Sequence, residues 1–158
     1  MESGWGSYSD TILRFPKTGL SIDLRVPLSP STQQLLSDLG LGRPFAVITA
    51  CNPLGSQLDP AANRRLASVL AALVRERHPG ALEAHGVSPD GQHQEPGWAI
   101  ATSLEEAQRL AAQFLQRAVF WFDGARFLIV PVLAGGPSVA LPAARPGLLP
   151  DPGPQSRQ

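Results

Sequence analysis

The segment Phe45–Cys51 is almost unbroken apolar sequence. In a sheet with one solvated face, apolar and polar residues alternate along each strand, whereas a strand covered on both faces is apolar throughout. We therefore expect Phe45–Cys51 to be a central strand, with other parts of the chain packed against both of its faces.

Three segments have the periodicity and the end signals of amphipathic helices. Ser29-Pro30 offers a cap and a first-turn proline for a short helix that ends at Gly40. Asp59-Pro60 begins the clearest helix, which His78 and the following Pro-Gly pair end. Ser103–Glu106 is a capping box that starts a third helix. The third helix has its apolar stripe at Leu104, Ala107, Leu110, Ala111 and Phe114.

Strand signals surround these helices. Thr11–Phe15 and Leu20–Val26 flank a short turn with proline and glycine at its ends, which predicts a hairpin. Two further strands are predicted at about 81–86 and 97–102, joined by a polar loop. Ala118–Phe122 and Arg126–Val130 flank an Asp-Gly turn and predict a second hairpin.

The order of these elements predicts the fold class. From Phe45 onward the chain reads strand, helix, strand, strand, helix, strand, strand, which contains the split β-α-β-β-α-β unit. We predict an α+β fold with a mixed sheet and about three helices. Its core would be ferredoxin-like, extended by the N-terminal hairpin and by a C-terminal strand.

Length and composition predict the domain organisation. The 158 residues favour one domain. From Ala134 onward periodicity is absent, and prolines recur among small residues. We predict a flexible N-terminus at 1–7, a single α+β domain at 8–133 and a disordered proline-rich tail at 134–158.

Charge and apolar patterning argue against several classes of partner. Thirteen basic and thirteen acidic residues leave no net charge, whereas nucleic-acid-binding proteins normally carry a basic excess. No apolar run approaches the ~20 residues that span a bilayer, and the first residues lack a signal sequence. The lone thiol of Cys51 fits a reducing compartment. We expect a cytoplasmic protein that binds neither nucleic acid nor membrane.

Polar residues follow the predicted central strand. The run from Ile48 to Pro53 ends a buried strand with polar side chains, and ligands tend to bind at strand ends in sheets with crossover helices. The alternative is that Asn52 and Pro53 only turn the chain. Asn63 and Glu95 could converge on Asn52. The alternatives are a helix cap for Asn63 and a solvated loop position for Glu95.

Other reactive residue types give weaker signals. Cys51 invites a nucleophilic role, but a cysteine that follows an apolar strand is more often inert packing. His78, His85 and His93 lack the spacing of a zinc site. The aromatic residues Phe120–Phe122 fit core packing better than base stacking. The common nucleotide-binding and hydrolase signatures are missing, so we predict no metal and no cofactor.

The combination of motifs resembles a bacterial family, domain-of-unknown-function family 3293. The likeness covers about Tyr8 to Val132 and rests on Ile48-Thr-Ala-x-Asn-Pro53, Asn63-Arg64, the loop with Gly86 and Asp90-Gly91, Glu95, and Ala107…Ala111…Phe114-x-Gln116-x-Ala118. The family implies no particular reaction. Its pattern usually has an aromatic residue where this chain has Cys51, which weakens a catalytic thiol. Five polar positions match the pattern: Thr49, Asn52, Asn63, Glu95 and Gln116.

Two functional hypotheses follow. The first is a non-enzymatic binding or accessory module with a polar pocket near Asn52, whose partner is a small molecule or a protein. The second is an enzyme in which Glu95 is the general acid or base, while Thr49, Asn52, Asn63 and Gln116 orient a small polar substrate. Geometry separates them, because a Glu95 more than about 10 Å from Asn52 and Asn63 could not share a site with them.

Overall fold

The computed structural model describes residues 5–143, which form four α-helices and two antiparallel sheets. The helices are α1 (Gly6–Ser9), α2 (Pro30–Asp38), α3 (Pro60–Arg77) and α4 (Leu104–Gln113). The strands are β1 (Ile12–Phe15), β2 (Leu20–Asp23), β3 (Phe45–Thr49), β4 (Leu82–Glu83), β5 (His85–Val87), β6 (Gln94–Glu95), β7 (Gly97–Ile100), β8 (Ala118–Phe122), β9 (Phe127–Pro131) and β10 (Val139–Ala140). None of these helices is long and apolar enough to cross a membrane.

The larger sheet has six strands in the order β10-β9-β8-β3-β7-β4. β3 lies inside it and pairs with β8 on one side and with β7 on the other. Its alternate residues enter different cores. Phe45 and Val47 pack on one face, and Ala46 and Ile48 pack on the other face with residues of α3 and α4. The prediction of a central strand covered on both faces is confirmed.

The smaller sheet has four strands in the order β2-β1-β5-β6. Leu13 and Phe15 of β1 are fully buried, and they share a core with Phe45 and Phe122 of the larger sheet. The second face of the larger sheet is therefore covered mainly by another sheet. The chain enters this smaller sheet twice, first as the N-terminal hairpin and again as β5 and β6, which lie between β4 and β7 in sequence.

The helices begin where the sequence predicts. The Ser29 hydroxyl accepts from the amide of Thr32 at 3.1 Å, and the Asp59 carboxylate accepts from that of Ala62 at 2.8 Å. Ser103 accepts from the amide of Glu106 at 3.1 Å. The carboxylate of Glu106 faces Arg109 at 3.4 Å, so only the serine half of the predicted capping box is seen. These caps supply partners for amides that a helix leaves unpaired at its start.

The α+β class is confirmed, but the predicted sheet arrangement is wrong in two respects. Both sheets are antiparallel rather than mixed, and the N-terminal hairpin extends the smaller sheet instead of the larger one. The reason is that the predicted strand at about 81–86 divides into β4, which joins the larger sheet, and β5, which joins the smaller sheet as the partner of β1. The predicted polar loop contributes β6, which pairs with β5. The ferredoxin-like core stays a prediction.

The ends of the described chain also differ from expectation. Trp5 and Tyr8, at the predicted flexible N-terminus and its boundary, pack against the core that joins the two sheets. At the other end, β10 pairs with β9, and Leu141 is only 6% exposed, although this stretch falls within the predicted disordered tail. Pairing with a neighbouring strand is a tertiary interaction that local composition does not reveal. The rest of the predicted tail, 144–158, lies outside the described residues, as do 1–4.

Candidate functional site

The chain leaves β3 through a backbone conformation that few residues adopt. Asn52 has φ 51° and ψ 61°, and it opens a short 3₁₀ turn over Pro53–Gly55. Within residues 5–143, the other non-glycine residues with positive φ are Leu54 and Leu115, and the amide of Leu54 donates to the carbonyl of Leu115 at 2.8 Å. Such conformations carry strain and tend to cluster at functional sites. Here all three lie around one loop.

Asn52 joins three segments of the chain through its side chain. Its Nδ2 donates to Oε1 of Glu95 at 2.8 Å, and its Oδ1 accepts from Nδ2 of Asn63 at 2.8 Å and from the amide of Leu58 at 3.1 Å. The backbone amide of Asn52 also donates to Oδ1 of Asn63 at 2.9 Å. Asn63 lies in the first turn of α3, and Glu95 ends β6. Asn52 and Asn63 therefore form two hydrogen bonds with each other, and Glu95 is hydrogen-bonded to Asn52.

Thr49 fixes the same region from the end of β3. Its hydroxyl donates to the carbonyl of Pro96 at 2.8 Å and accepts from the amide of Cys51 at 3.1 Å. Gly97 allows this close approach, because a Cβ there would lie 2.5 Å from the carbonyl oxygen of Ile48. The strand that follows Glu95 is thereby held directly against the strand that precedes Asn52.

Gln116 closes the arrangement from the segment after α4. Its side chain is only 4% exposed, and its Nε2 donates to the carbonyls of Cys51 and Phe114, each at 3.1 Å. All five polar residues singled out from the sequence thus meet around Asn52, and we call them the Asn52 cluster. Glu95 lies within hydrogen-bond distance of Asn52, so the distance that would have excluded a joint site is not found.

The Asn52 cluster lines a cavity of about 810 Å³. This volume lies within the range of about 300–1,000 Å³ that is usual for small-molecule sites. Glu95 is the only carboxylate among the lining residues, while Arg64, His93 and Arg117 are its basic residues. The cavity therefore combines neutral amides and one carboxylate with cationic groups.

Burial changes the protonation behaviour of two lining groups. It raises the pKa of Glu95, an effect that the hydrogen bond from Asn52 and the nearby His93 partly oppose. Burial also raises the pKa of the Cys51 thiol, with a hydrogen bond to Thr49 acting in the other direction. Since the thiolate is the nucleophilic form, a raised pKa makes Cys51 a poor nucleophile. Glu95 is the better candidate for proton transfer.

Sequence reasoning missed part of the lining. Tyr8 borders the cavity, and burial together with the charge of Glu95 raises its pKa to about 12, against opposing effects of Arg117 and the Ala118 backbone. Its ring lies 5.4 Å from that of Phe120. The sequence pointed to Tyr8 only as the first residue of the family resemblance. The signal for Arg64 and Arg117 was their position next to Asn63 and Gln116.

The histidines do not assemble into a metal centre. His85 contacts Gln94 and faces Glu83 at 3.8 Å, and burial lowers its pKa. Across residues 5–143, no group of three or more histidine, cysteine, aspartate or glutamate side chains is placed to hold a metal ion.

Residues 48–119 match the sequence model of a family described as "Protein of unknown function (DUF3293)". This part of the chain is similar to that family. No curated protein and no solved structure matches the chain. The resemblance found in the sequence is confirmed over the matched range, which contains the whole Asn52 cluster. The matched segment begins within β3 and ends within β8, so it spans both helices that cover the larger sheet.

Proposed function

We propose that this protein binds a small polar molecule in the cavity lined by the Asn52 cluster. The observation that carries the proposal is the hydrogen bonding of the Glu95 carboxylate. Its Oε1 accepts from Asn52, whereas its Oε2 has no hydrogen-bond partner among the described residues. This oxygen is not among the fully buried atoms that lack a partner, so it is accessible and can accept a hydrogen bond from a ligand in the cavity that Glu95 lines.

The surrounding network supports this proposal because it holds the cluster in one geometry. Asn52 takes part in four hydrogen bonds: one with Glu95, two with Asn63 and one with the amide of Leu58. Side chains fixed in this way lose little conformational freedom when a ligand binds, and preorganisation of this kind improves affinity.

A second candidate function is catalysis with Glu95 as general acid or base. The observation that favours it is the raised pKa of Glu95, since a carboxyl group with a pKa closer to neutral exchanges protons more effectively near pH 7. Thr49, Asn52, Asn63 and Gln116 would then orient the substrate through uncharged hydrogen bonds. Both functions use the same cavity and differ in whether the bound molecule is changed.

A thermal-shift screen of metabolites tests the proposal. A ligand at about 100 times its dissociation constant adds about 2.7 kcal/mol of stability. We expect Glu95→Gln and Asn52→Ala to reduce or abolish the shift. The matched control is Glu76→Gln on α3, the same substitution at an exposed position away from the cavity. A metabolite that stabilises all four proteins equally would bind elsewhere and contradict the proposal.

The same hits separate binding from catalysis. Each stabilising compound is incubated with the wild type, and the mixture is analysed for product by mass spectrometry. Conversion by the wild type and by Glu76→Gln, but not by Glu95→Gln, identifies an enzyme. Compounds that bind and remain unchanged over many hours identify a binding module.

A further inference from the structure

We infer that the ligand donates N–H groups to Gln116 and Glu95, and that it carries a planar nitrogen group such as an amide, amidine or guanidine. This inference rests on the proposed function and deepens it, because it names the chemical class that the cavity accepts. Its basis is a pair of side-chain oxygens, one on Gln116 and one on Glu95, that line the cavity and have no hydrogen-bond partner among the described residues.

The free atom of Gln116 is its carbonyl oxygen. Nε2 donates both of its hydrogens, to the carbonyls of Cys51 and Phe114. Rotating the amide by 180° would place Oε1 against these two carbonyl oxygens, which is repulsive, so the orientation is fixed. Oε1 therefore has no hydrogen-bond partner within residues 5–143, on a side chain that is 4% exposed and lines the cavity. This oxygen is not among the fully buried atoms that lack a partner, so it is accessible from the cavity that Gln116 lines.

The free atom of Glu95 is likewise an acceptor. Oε1 is held by Nδ2 of Asn52, whose orientation is set by the Leu58 amide that donates to its Oδ1. Oε2 of Glu95 is left for the ligand. The side chain of Gln116 donates to the carbonyl of Cys51, and Glu95 accepts from the side chain of Asn52. The two side chains that carry the free acceptors are therefore hydrogen-bonded to consecutive residues.

Two acceptors that line the same cavity discriminate between ligand classes. A group that has only acceptors, such as carboxylate or phosphate, would meet the oxygens of Gln116 and of an ionised Glu95 without forming a hydrogen bond to either. Amides, amidines and guanidines present several N–H donors in one plane. A cationic amidine adds a charge-assisted bond to an ionised Glu95, which is roughly twice as strong as a neutral one.

The competing possibility is an anionic ligand held by arginine. Arg64 and Arg117 are exposed residues of the same cavity. The guanidinium of Arg117, however, lies 5.2 Å from the centre of the Trp5 ring, where it already has a cation–π partner. The two free oxygens of Gln116 and Glu95 thus favour a donor ligand, while the exposed arginines could attract anions. The test compares the two directly.

Three probes with one ring and different head groups provide the test: benzamidine, benzamide and benzoate. Binding is followed by the chemical shifts of the Asn52 and Leu58 amides in the isotope-labelled full chain. We expect benzamidine to shift both resonances at the lowest concentration, benzamide to follow, and benzoate to have no effect on them. In Glu95→Gln, benzamidine should bind about tenfold more weakly, because the charge-assisted bond is lost. Benzamide and the control variant Glu76→Gln should change little.

Each other outcome overturns a defined statement. If benzoate shifts the cavity resonances at lower concentrations than benzamidine does, the cavity binds ligands but the donor inference is wrong. If benzamidine binds Glu95→Gln as tightly as the wild type, Glu95 is not its acceptor and the inference fails. If none of the probes shifts these resonances while the chain is folded, the donor inference is rejected, and the metabolite screen decides separately on the proposed binding function.

Discussion

The two ends of β3 are built from opposite chemistry. At its first residue, Phe45 is completely buried, with its ring 5.2 Å from that of Phe122 and 5.8 Å from that of Phe127. We call this trio the aromatic end. At the other end, Thr49 and Asn52 enter the hydrogen-bonded Asn52 cluster. One strand of five residues therefore connects an apolar cluster to a polar one.

This difference indicates how the molecule divides stability from function. Buried aromatic surface stabilises the folded state without specific partners, whereas buried polar atoms such as those of the Asn52 cluster need hydrogen-bond partners. The aromatic end forms an uninterrupted core. The polar end contains strained backbone at Asn52, Leu54 and Leu115 and leaves acceptor atoms at a cavity. Mutations at the aromatic end should change stability most, and those at the polar end should change binding most.

The largest expected effect is that of Phe45→Ala. Removing a fully buried aromatic side chain typically costs about 3–5 kcal/mol, and here two neighbouring rings also lose a contact. The free energy of unfolding is measured by urea titration, with Phe45→Leu as the control that keeps a large apolar side chain. A loss below about 1 kcal/mol would contradict the assignment of this end as the stabilising one.

A truncation after Leu133 tests the edge of the aromatic end. It removes β10 and Leu141, whose backbone amide donates to the carbonyl of Phe127 at 2.9 Å. Loss of a buried leucine costs about 1.5–3 kcal/mol, so the melting temperature should fall by several degrees. The control ends at Ala143 and keeps β10. Equal melting temperatures for the two truncated chains would restore the domain boundary at 133.

Asn52→Ala should show the opposite balance of effects. It leaves Glu95, Asn63 and the Leu58 amide without their partner, at a cost of about 1–3 kcal/mol, and it should remove the ligand response. Cys51→Ala, which loses only a sulfur atom, is the neighbouring control and should keep that response. The comparison uses thermal unfolding with and without a ligand. If Cys51→Ala abolishes binding and Asn52→Ala does not, the role of the thiol must be reconsidered.

The smallest expected effect is a pH dependence that Glu95→Gln removes. Because burial raises the pKa of Glu95 above its ordinary value of 4.5, the folded protein holds this proton at pH values where the unfolded chain has lost it. The resulting stability is fully present below pH 4.5 and is lost as the pH rises through the folded-state pKa.

Urea titrations of the wild type and Glu95→Gln between about pH 4 and pH 8 measure this contribution. The stability of Glu95→Gln relative to the wild type should increase over this range, since glutamine does not ionise. Glu76→Gln, at an exposed position, should follow the wild type. A constant difference between Glu95→Gln and the wild type would show that Glu95 ionises as easily in the folded protein as in the unfolded chain.

The sequence by itself determined the local elements. Ser29, Asp59 and Ser103 cap their helices as predicted, because a cap needs only an amide two or three residues away. The apolar run from Phe45 identified the central strand, since continuous apolar sequence indicates cover on both faces. The family motifs selected all five members of the Asn52 cluster.

Tertiary structure decided what covers each strand and which atoms remain free. β5, β6 and β10 are two or three residues long, so their pairing depends on β1 and β9 rather than on local propensity. Residue identity could mark Gln116 and Glu95 as polar candidates. In the folded chain, Cys51 binds the amide nitrogen of Gln116 and Asn52 binds one oxygen of Glu95, so the other oxygen of each side chain is left at the cavity. The sequence does not show this, because packing decides which residues distant in sequence become hydrogen-bond partners.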